Sequence, residues 1–270
     1  MDHIRRTERL AAMTQMLVRS PNKNLALSVF CDAFETAKST ASEDLDIVRT
    51  AMKRFSLGSL ETLPGAAGGV RYRPLVPRDQ ALAEVRALCE RLGNAGRVLP
   101  GGLLFMADVL GDTATLTRMG EVLASEYYEA EPDFVVTMET QGIPLAMMTA
   151  RALNVPMVIA RRSVKAYEGA AVHITYPVGH SYETMSLPRR MVREGQRALI
   201  VDDVLRTGGT LAGLRSLMNE FAVTVVGAAV MMATEEAYRS APQTRPLAVM
   251  EGVDERTGSA LLRPGDWLAS

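Results

Sequence analysis

Asp202 and Asp203 are adjacent carboxylates at the end of an apolar run, Ala198 to Val201, and Arg206, Thr207, Gly208, Gly209 and Thr210 follow shortly after. Two neighbouring carboxylates at a strand end accept hydrogen bonds from paired hydroxyls such as those of a ribose. A glycine-rich turn before a helix lets backbone N–H groups converge on an anion, and the helix N-terminus adds about half a unit of positive charge. Thr207 and Thr210 supply hydroxyl donors to the same place. The run therefore fits a sugar phosphate. The alternative is an ordinary strand-to-helix turn with a solvated acidic end; a lone Gly-Gly-Thr would leave that open, and the complete run argues against it.

A second loop, Glu139-Thr140-Gln141-Gly142-Ile143-Pro144, follows a predicted strand at Phe134 to Met138 and precedes a helix. Gly142 allows close backbone approach, and Thr140 and Gln141 are polar candidates for contact; an ordinary strand-to-helix turn is the alternative, which this loop by itself leaves open. Arg161, Arg162 and Lys165 are candidates to reach a polyanion bound there, with plain surface basic residues the alternative.

The elements that must position these loops alternate. Helices are predicted at Asp79 to Leu92, Ala114 to Tyr127, Ile143 to Leu153 and Thr210 to Phe221. Strands are predicted near Leu103 to Met106 and at Phe134 to Met138, Met157 to Ala160, Ala198 to Val201 and Val223 to Met231. Short β-rich strands separated by helices argue for a mostly parallel sheet covered on both faces, which binds ligands at its carboxyl end. The stretch from Arg161 to Gln196 interrupts this pattern, and Ala171 to Tyr176 reads as one arm of an excursion over the sheet's edge.

Residues 1 to 75 read differently. Leu10, Met13 and Leu17 mark one helix, and Leu27, Phe30, Cys31 and Phe34 a second. Ala41, Leu45, Val48, Met52 and Phe55 mark a third. Ser59 to Leu63 and Val70 to Pro74 flank Pro64-Gly65-Ala66-Ala67-Gly68-Gly69 as a hairpin. Three helices and a hairpin make a winged helix-turn-helix. The stripe of the third helix turns Lys38, Ser39, Thr40 and Ser42 outward, where they meet base edges or phosphates if the helix enters a major groove. Arg71, Tyr72 and Arg73 on the wing, and Arg5 and Arg6 on the first helix, are further candidates. This segment carries 11 Lys and Arg against 8 Asp and Glu, the remainder 19 against 23. The expected domains are 1–75 and 76–270.

A composition 47% hydrophobic and 23% charged is that of a folded soluble chain. The longest apolar run, Val223 to Ala233, falls short of a membrane helix, and no export signal is read at the start, so the expectation is cytoplasmic. Cys31 and Cys89 are too few for a disulfide framework, and His3, His173 and His180 lack metal-ligand spacing. No metal held by the protein alone is expected.

The run from 198 to 210 resembles the signature for phosphoribosyl pyrophosphate (PRPP) of type I phosphoribosyltransferases, whose pyrophosphate loop corresponds to residues 139 to 144. With the winged helix before it, nearly the whole chain resembles the purine operon repressors of Gram-positive bacteria. That likeness rests on Arg5-Arg6, Ala37-Lys38-Ser39, Leu63-Pro64-Gly65-Ala66-Ala67-Gly68-Gly69-Val70, Leu99-Pro100-Gly101-Gly102, Gly142-Ile143-Pro144 and Thr184-Met185-Ser186-Leu187. The resemblance implies a homodimeric repressor of purine biosynthesis that binds operator DNA and takes PRPP with Mg²⁺ as effector, PRPP lowering DNA affinity. It implies a phosphoribosyltransferase-like domain without transferase activity. A working purine phosphoribosyltransferase with an accessory domain is the alternative. The chain departs from the expected pattern after Met250, where little room is left for another helix.

Overall fold

The computed structural model describes residues 4–65, 68–163, 169–179 and 181–269. Lys165, expected near a bound polyanion, and Ala66 and Ala67 of the wing tip lie outside them, as do His3 and His180. The chain divides into two compact units, Met1–Pro77 with Arg151–Asn154, and Arg78–Ala150 with Val155–Ser270.

In the first unit, helices α1 (Arg6–Arg19), α2 (Leu27–Phe34) and α3 (Lys38–Arg54) enclose Met13, Leu17, Phe30, Ala41, Leu45, Val48 and Met52, all buried. The predicted apolar stripes are thus the faces that meet, except that Phe55 falls just past the helix and is exposed. α2 ends on Glu35 in the left-handed conformation (φ 49°), and a short turn leads into α3. The hairpin is β2 (Ser59–Leu63) and β3 (Gly69–Arg73), paired Ser59 to Arg73 through Leu63 to Gly69. A short strand unread in the sequence, β1 (Asn24–Ala26), pairs antiparallel with β3, giving the order β1-β3-β2. Three residues carry too little periodicity to announce a strand.

In the second unit, α4 (Arg78–Gly93) precedes a small ladder of β4 (Val98–Leu99) and β5 (Leu103–Leu104). Helices α5 (Ala107–Leu110) and α6 (Thr113–Tyr127) follow. Asp112 caps α6 by accepting from the N–H groups of Ala114 and Thr115. The remaining elements are β6 (Phe134–Met138), α7 (Ile143–Leu153), β7 (Met157–Ala160), β8 (Ala171–Val178), β9 (Ser181–Pro188), β10 (Arg197–Leu205), α8 (Gly209–Glu220), β11 (Thr224–Thr234), α9 (Glu235–Ser240), β12 (Thr244–Asp254) and β13 (Ser259–Pro264). Six strands form one sheet in the order β13-β12-β11-β10-β6-β7, parallel except for β13.

One face of the sheet, with Phe134, Val136, Ala198, Ile200, Ala228 and Val230, packs against Leu214, Leu217 and Met218 of α8. Val135, Leu199, Val201 and Ala229, which alternate with them, are equally buried, so both faces are covered. On α6, the Tyr127 hydroxyl donates to the Ala228 carbonyl at 3.0 Å. The excursion is a β8–β9 hairpin whose Tyr176, Met185 and Leu187 join the core with α8. Backbone bonds between Arg161 and Ser186 tie it to the end of edge strand β7. Strands β12 and β13 were unread in the sequence; they fill the stretch around Met250 where another helix has no room. Burial pushes the Cys89 thiol up to about 12, which keeps it protonated and unreactive.

Candidate effector crevice and nucleic-acid interface

The order of the main sheet reverses between β10 and β6: from β6 the chain moves outward to β7, and from β10 to β11 and β12 on the other side. Crevices at the carboxyl ends of strands flanking such a reversal are where open α/β sheets bind ligands. β10 and β6 pair only from Ala198 to Ile200 on β10, while β10 continues to Leu205. The two strands therefore part above Ile200. Asp202 and Asp203 stand in this carboxyl-end half of β10, which pairs with β11 but not with β6, and the strand continues past the predicted end at Val201 to Leu205.

Asp202 is buried and Asp203 half-buried. Asp202 Oδ1 accepts the Asp203 N–H at 3.0 Å. Burial, and then the neighbouring Asp203 carboxylate, hold the Asp202 carboxyl well above the usual carboxylate range. The loop after β6 closes against it: a β-carbon at Gly142 would overlap Asp202 Oδ1 and Thr137 Oγ1. Gly142 thus stands beside the Asp202 carboxylate, Thr140 and Gln141 precede it as exposed residues, and the Glu139–Thr140 peptide bond is cis. Glu139 Oε1 accepts the Arg162 N–H at 2.7 Å, and the Arg162 guanidinium lies 3.5 Å from Glu183 of β9.

On the other side of β10, Arg206 and Thr207 are exposed and Gly208, Gly209 and Thr210 half-buried. Gly208 is the N-cap of α8 at φ 78°, a conformation that costs most residues a steric penalty and glycine none. Helix geometry leaves the first N–H groups of α8 beyond this turn without intrahelical partners, as an anion site requires. The structure thus brings the Gly142 loop against Asp202, some sixty residues further along the chain, while the Arg206–Thr210 loop follows directly from the same strand. Sequence reasoning missed Thr137, which is buried against Gly142, and Glu139 as an acceptor. Neither has a sequence signal beyond its place beside a glycine loop.

On the N-terminal unit, Lys38, Ser39 and Ser42 are exposed and Thr40 half-buried. The wing differs from expectation. Tyr72 is 7% exposed in the core of the unit, its hydroxyl donating to the Leu57 carbonyl at 2.8 Å. Arg73 is also buried, bonded to Glu61 Oε1 at 3.1 Å and Asn22 Oδ1 at 3.1 Å. Both residues hold the wing together rather than face outward; β3 is the middle strand of its sheet, so the residue types suited to DNA contact are used here for packing. Arg71 pairs with Glu61 Oε2 at 3.0 Å and keeps part of its side chain exposed. Arg5 is exposed, and its N–H donates to Glu8 at 2.8 Å. Arg6 is half-exposed but anchored, its Nε donating to Asp44 Oδ1 at 2.7 Å.

Among the described residues, no helix is long and apolar enough to cross a membrane. No group of three or more His, Cys, Asp or Glu is gathered around a metal position among them.

Residues 5–74 match the family described as "Bacterial purine repressor, N-terminal", and residues 109–254 match "Phosphoribosyl transferase domain". The chain is 41% identical over 233 residues to the purine biosynthesis transcriptional repressor PurR of Bacillus subtilis, covering 86% of this chain and 82% of that protein. It is 39% identical over 231 residues, 85% of each chain, to the purine biosynthesis transcriptional activator PurR of Lactococcus lactis. Xanthine phosphoribosyltransferase of Limosilactobacillus fermentum is 28% identical over 55% of this chain and 79% of that one. Among solved structures, adenine phosphoribosyltransferase of Rhodothermus marinus superimposes with a TM-score of 0.51 at 26% identity, over 57% of this chain and 89% of that one. A winged helix of the purine-repressor type, joined to a phosphoribosyltransferase fold in a chain that aligns with PurR proteins over most of its length, places this chain in the PurR family of bacterial purine biosynthesis regulators.

Proposed function

We propose that the chain is a transcriptional repressor of purine biosynthesis genes, binding operator DNA through its N-terminal unit as a homodimer and released from it by PRPP. The observation that carries the reading is the crevice at the sheet's reversal point. There a carboxylate pair, Asp202 and Asp203, is flanked by two glycine loops, one suited to a diphosphate and one to a 5-phosphate. The ribose hydroxyls donate to the carboxylates, the loop Arg206–Thr210 takes the 5-phosphate, and Thr140, Gln141 and Gly142 take the diphosphate, with Lys165 as a further cation. Carboxylate oxygens are the donors a hard cation prefers. They fit a magnesium ion that arrives with the ligand's diphosphate, and that ion would neutralise charge between Asp203 and the diphosphate.

The relatives that match over most of the chain are named as regulators, whereas those named as transferases match about half of it. This supports a phosphoribosyltransferase fold used for sensing. DNA is met by Lys38, Ser39, Thr40 and Ser42 at the start of α3, by Arg71 on the wing, and by Arg5 and the outer part of Arg6. Release requires PRPP to bind the DNA-incompetent state more tightly; a coupling of ~1–3 kcal/mol changes operator affinity ~5- to 150-fold.

Anisotropy of labelled DNA from upstream of purine genes, titrated with the chain with and without PRPP and Mg²⁺, tests this. Weaker binding with PRPP is expected, and the effect should vanish in Asp203→Ala while DNA binding stays. Equal affinities would overturn sensing. Tighter binding would instead favour the activator reading, which the Lactococcus relatives' name supports.

A further inference from the structure

A second opening in the C-terminal unit shares the glycine loop with the crevice but none of its carboxylates. It is a cavity of about 660 Å³ between one face of α8 and one face of α9, walled on one side by Arg206 to Gly209. Asp202, Asp203 and residues 139 to 142 do not line it. Its volume falls within the ~300–1,000 Å³ typical of small-molecule sites. Leu211, Ala212 and Ala237 give it an apolar surface. Arg206 and Arg215 also line it, and among the described residues neither guanidinium has a hydrogen bond or an ion pair. The one carboxylate in the lining, Glu236, pairs with neither of them.

An apolar surface lined also by two unpaired guanidinium groups suits one ligand chemistry in particular. Guanidinium groups fork onto phosphate oxygens and stack on planar rings. We propose that this cavity is a second ligand site, distinct from the crevice, for a phosphorylated small molecule with a planar body, of the class of purine nucleoside monophosphates. The phosphate engages Arg215 or Arg206, and the ring lies along Leu211, Ala212 and Ala237. Because Arg206 to Gly209 wall both openings, a ligand here rests against the back of the loop that would hold the 5-phosphate.

Isothermal titration calorimetry on the full-length chain tests the proposal, with GMP as the probe and guanosine as the control lacking phosphate. Each is titrated alone and again in the presence of saturating PRPP and Mg²⁺. GMP is expected to bind at one per chain in both conditions, with guanosine about tenfold weaker or more. Arg215→Gln should weaken GMP binding about tenfold or more and spare PRPP. Ala212→Phe, at an exposed position on the cavity wall, should block GMP without removing any charge. GMP displaced by PRPP and indifferent to both substitutions would overturn the proposal, since the nucleotide would then be using the crevice. Absence of GMP binding at millimolar concentration would overturn it equally. If PRPP fails to bind, the reading of the crevice fails, while the two substitutions still decide the GMP site.

Discussion

The Nε of Arg9 on α1 donates to Oδ2 of Asp44 on α3 at 2.9 Å, and the Asp44 side chain is wholly shielded from water. Arg6 Nε satisfies the other carboxylate oxygen at 2.7 Å. Two arginines of the first helix are therefore spent on fixing the helix whose opening turn carries Lys38, Ser39 and Ser42. Removing one partner of such a pair strands the other charges, at a cost of ~3–5 kcal/mol. The lower end applies because Arg6 remains half-exposed. Asp44→Ala should accordingly destabilise the N-terminal unit by about 3 kcal/mol. Hydrogen exchange on the full chain should show lost protection in α1 and α3 with the C-terminal sheet unchanged; equal loss in both units would contradict it.

Lys38 and Tyr72 are both candidates for DNA contact in the sequence, with solvation of its helix the alternative for Lys38 and packing into the hairpin for Tyr72, and the structure separates them. Lys38 is exposed at the start of α3, and Tyr72 is inside the core. Lys38→Ala should weaken operator binding and reduce the slope of log affinity against log salt by about 1. Tyr72→Phe should leave that slope unaltered and cost about 1 kcal/mol of stability, from the lost bond to the Leu57 carbonyl. Salt titrations of DNA affinity, paired with thermal melts, distinguish the two roles. A changed slope for Tyr72→Phe would return it to the interface.

Both loops of the crevice were legible in the sequence because each joins an apolar run to glycines within a few residues, and the physics of an anion cradle is local. The helices were legible for a similar reason: the stripe Ala41, Leu45, Val48, Met52 needs only 3.6-residue periodicity. What was not legible depended on partners distant in the chain. β1 exists because β3 offers it an edge, and β12 and β13 extend a sheet laid down by β11. Arg73 turns inward because Glu61 and Asn22 wait for it. Residue type suggested DNA contact there, and only the middle position of β3 reveals otherwise.

Gly142 provides a test of how the two sides of the crevice depend on each other. A methyl group there meets Asp202 Oδ1 and Thr137 Oγ1, and Thr137 is itself fully buried. Forcing an extra carbon into a filled interior costs ~1–3 kcal/mol. Gly142→Ala should lower the melting temperature and abolish the PRPP response together, since relief of the overlap moves either the loop or the carboxylate. A variant that melts lower but still responds to PRPP would show that the loop does not need its contact with Asp202.

Asp202 carries the opposite expectation for stability. Its carboxyl is held above the ordinary range by burial and by the charge of Asp203. The folded chain therefore holds this proton more tightly than the unfolded chain does. By linkage, stability falls as pH rises from the ordinary aspartate value, ~3.9, through the raised one. Above that window the buried carboxylate is a net cost to the ligand-free fold, kept for the hydroxyls it can accept. Asp202→Asn removes the charge with little change of shape. It should raise the melting temperature at neutral pH, and that advantage should disappear below about pH 4. It should also weaken PRPP binding by about tenfold or more, because an amide accepts a hydroxyl less strongly than a carboxylate does. Melting curves across pH, set beside calorimetric PRPP titrations, measure both halves. A variant less stable than the parent at pH 7 would mean that the Asp202 charge supports the fold, and the trade of stability for binding at this position would be wrong.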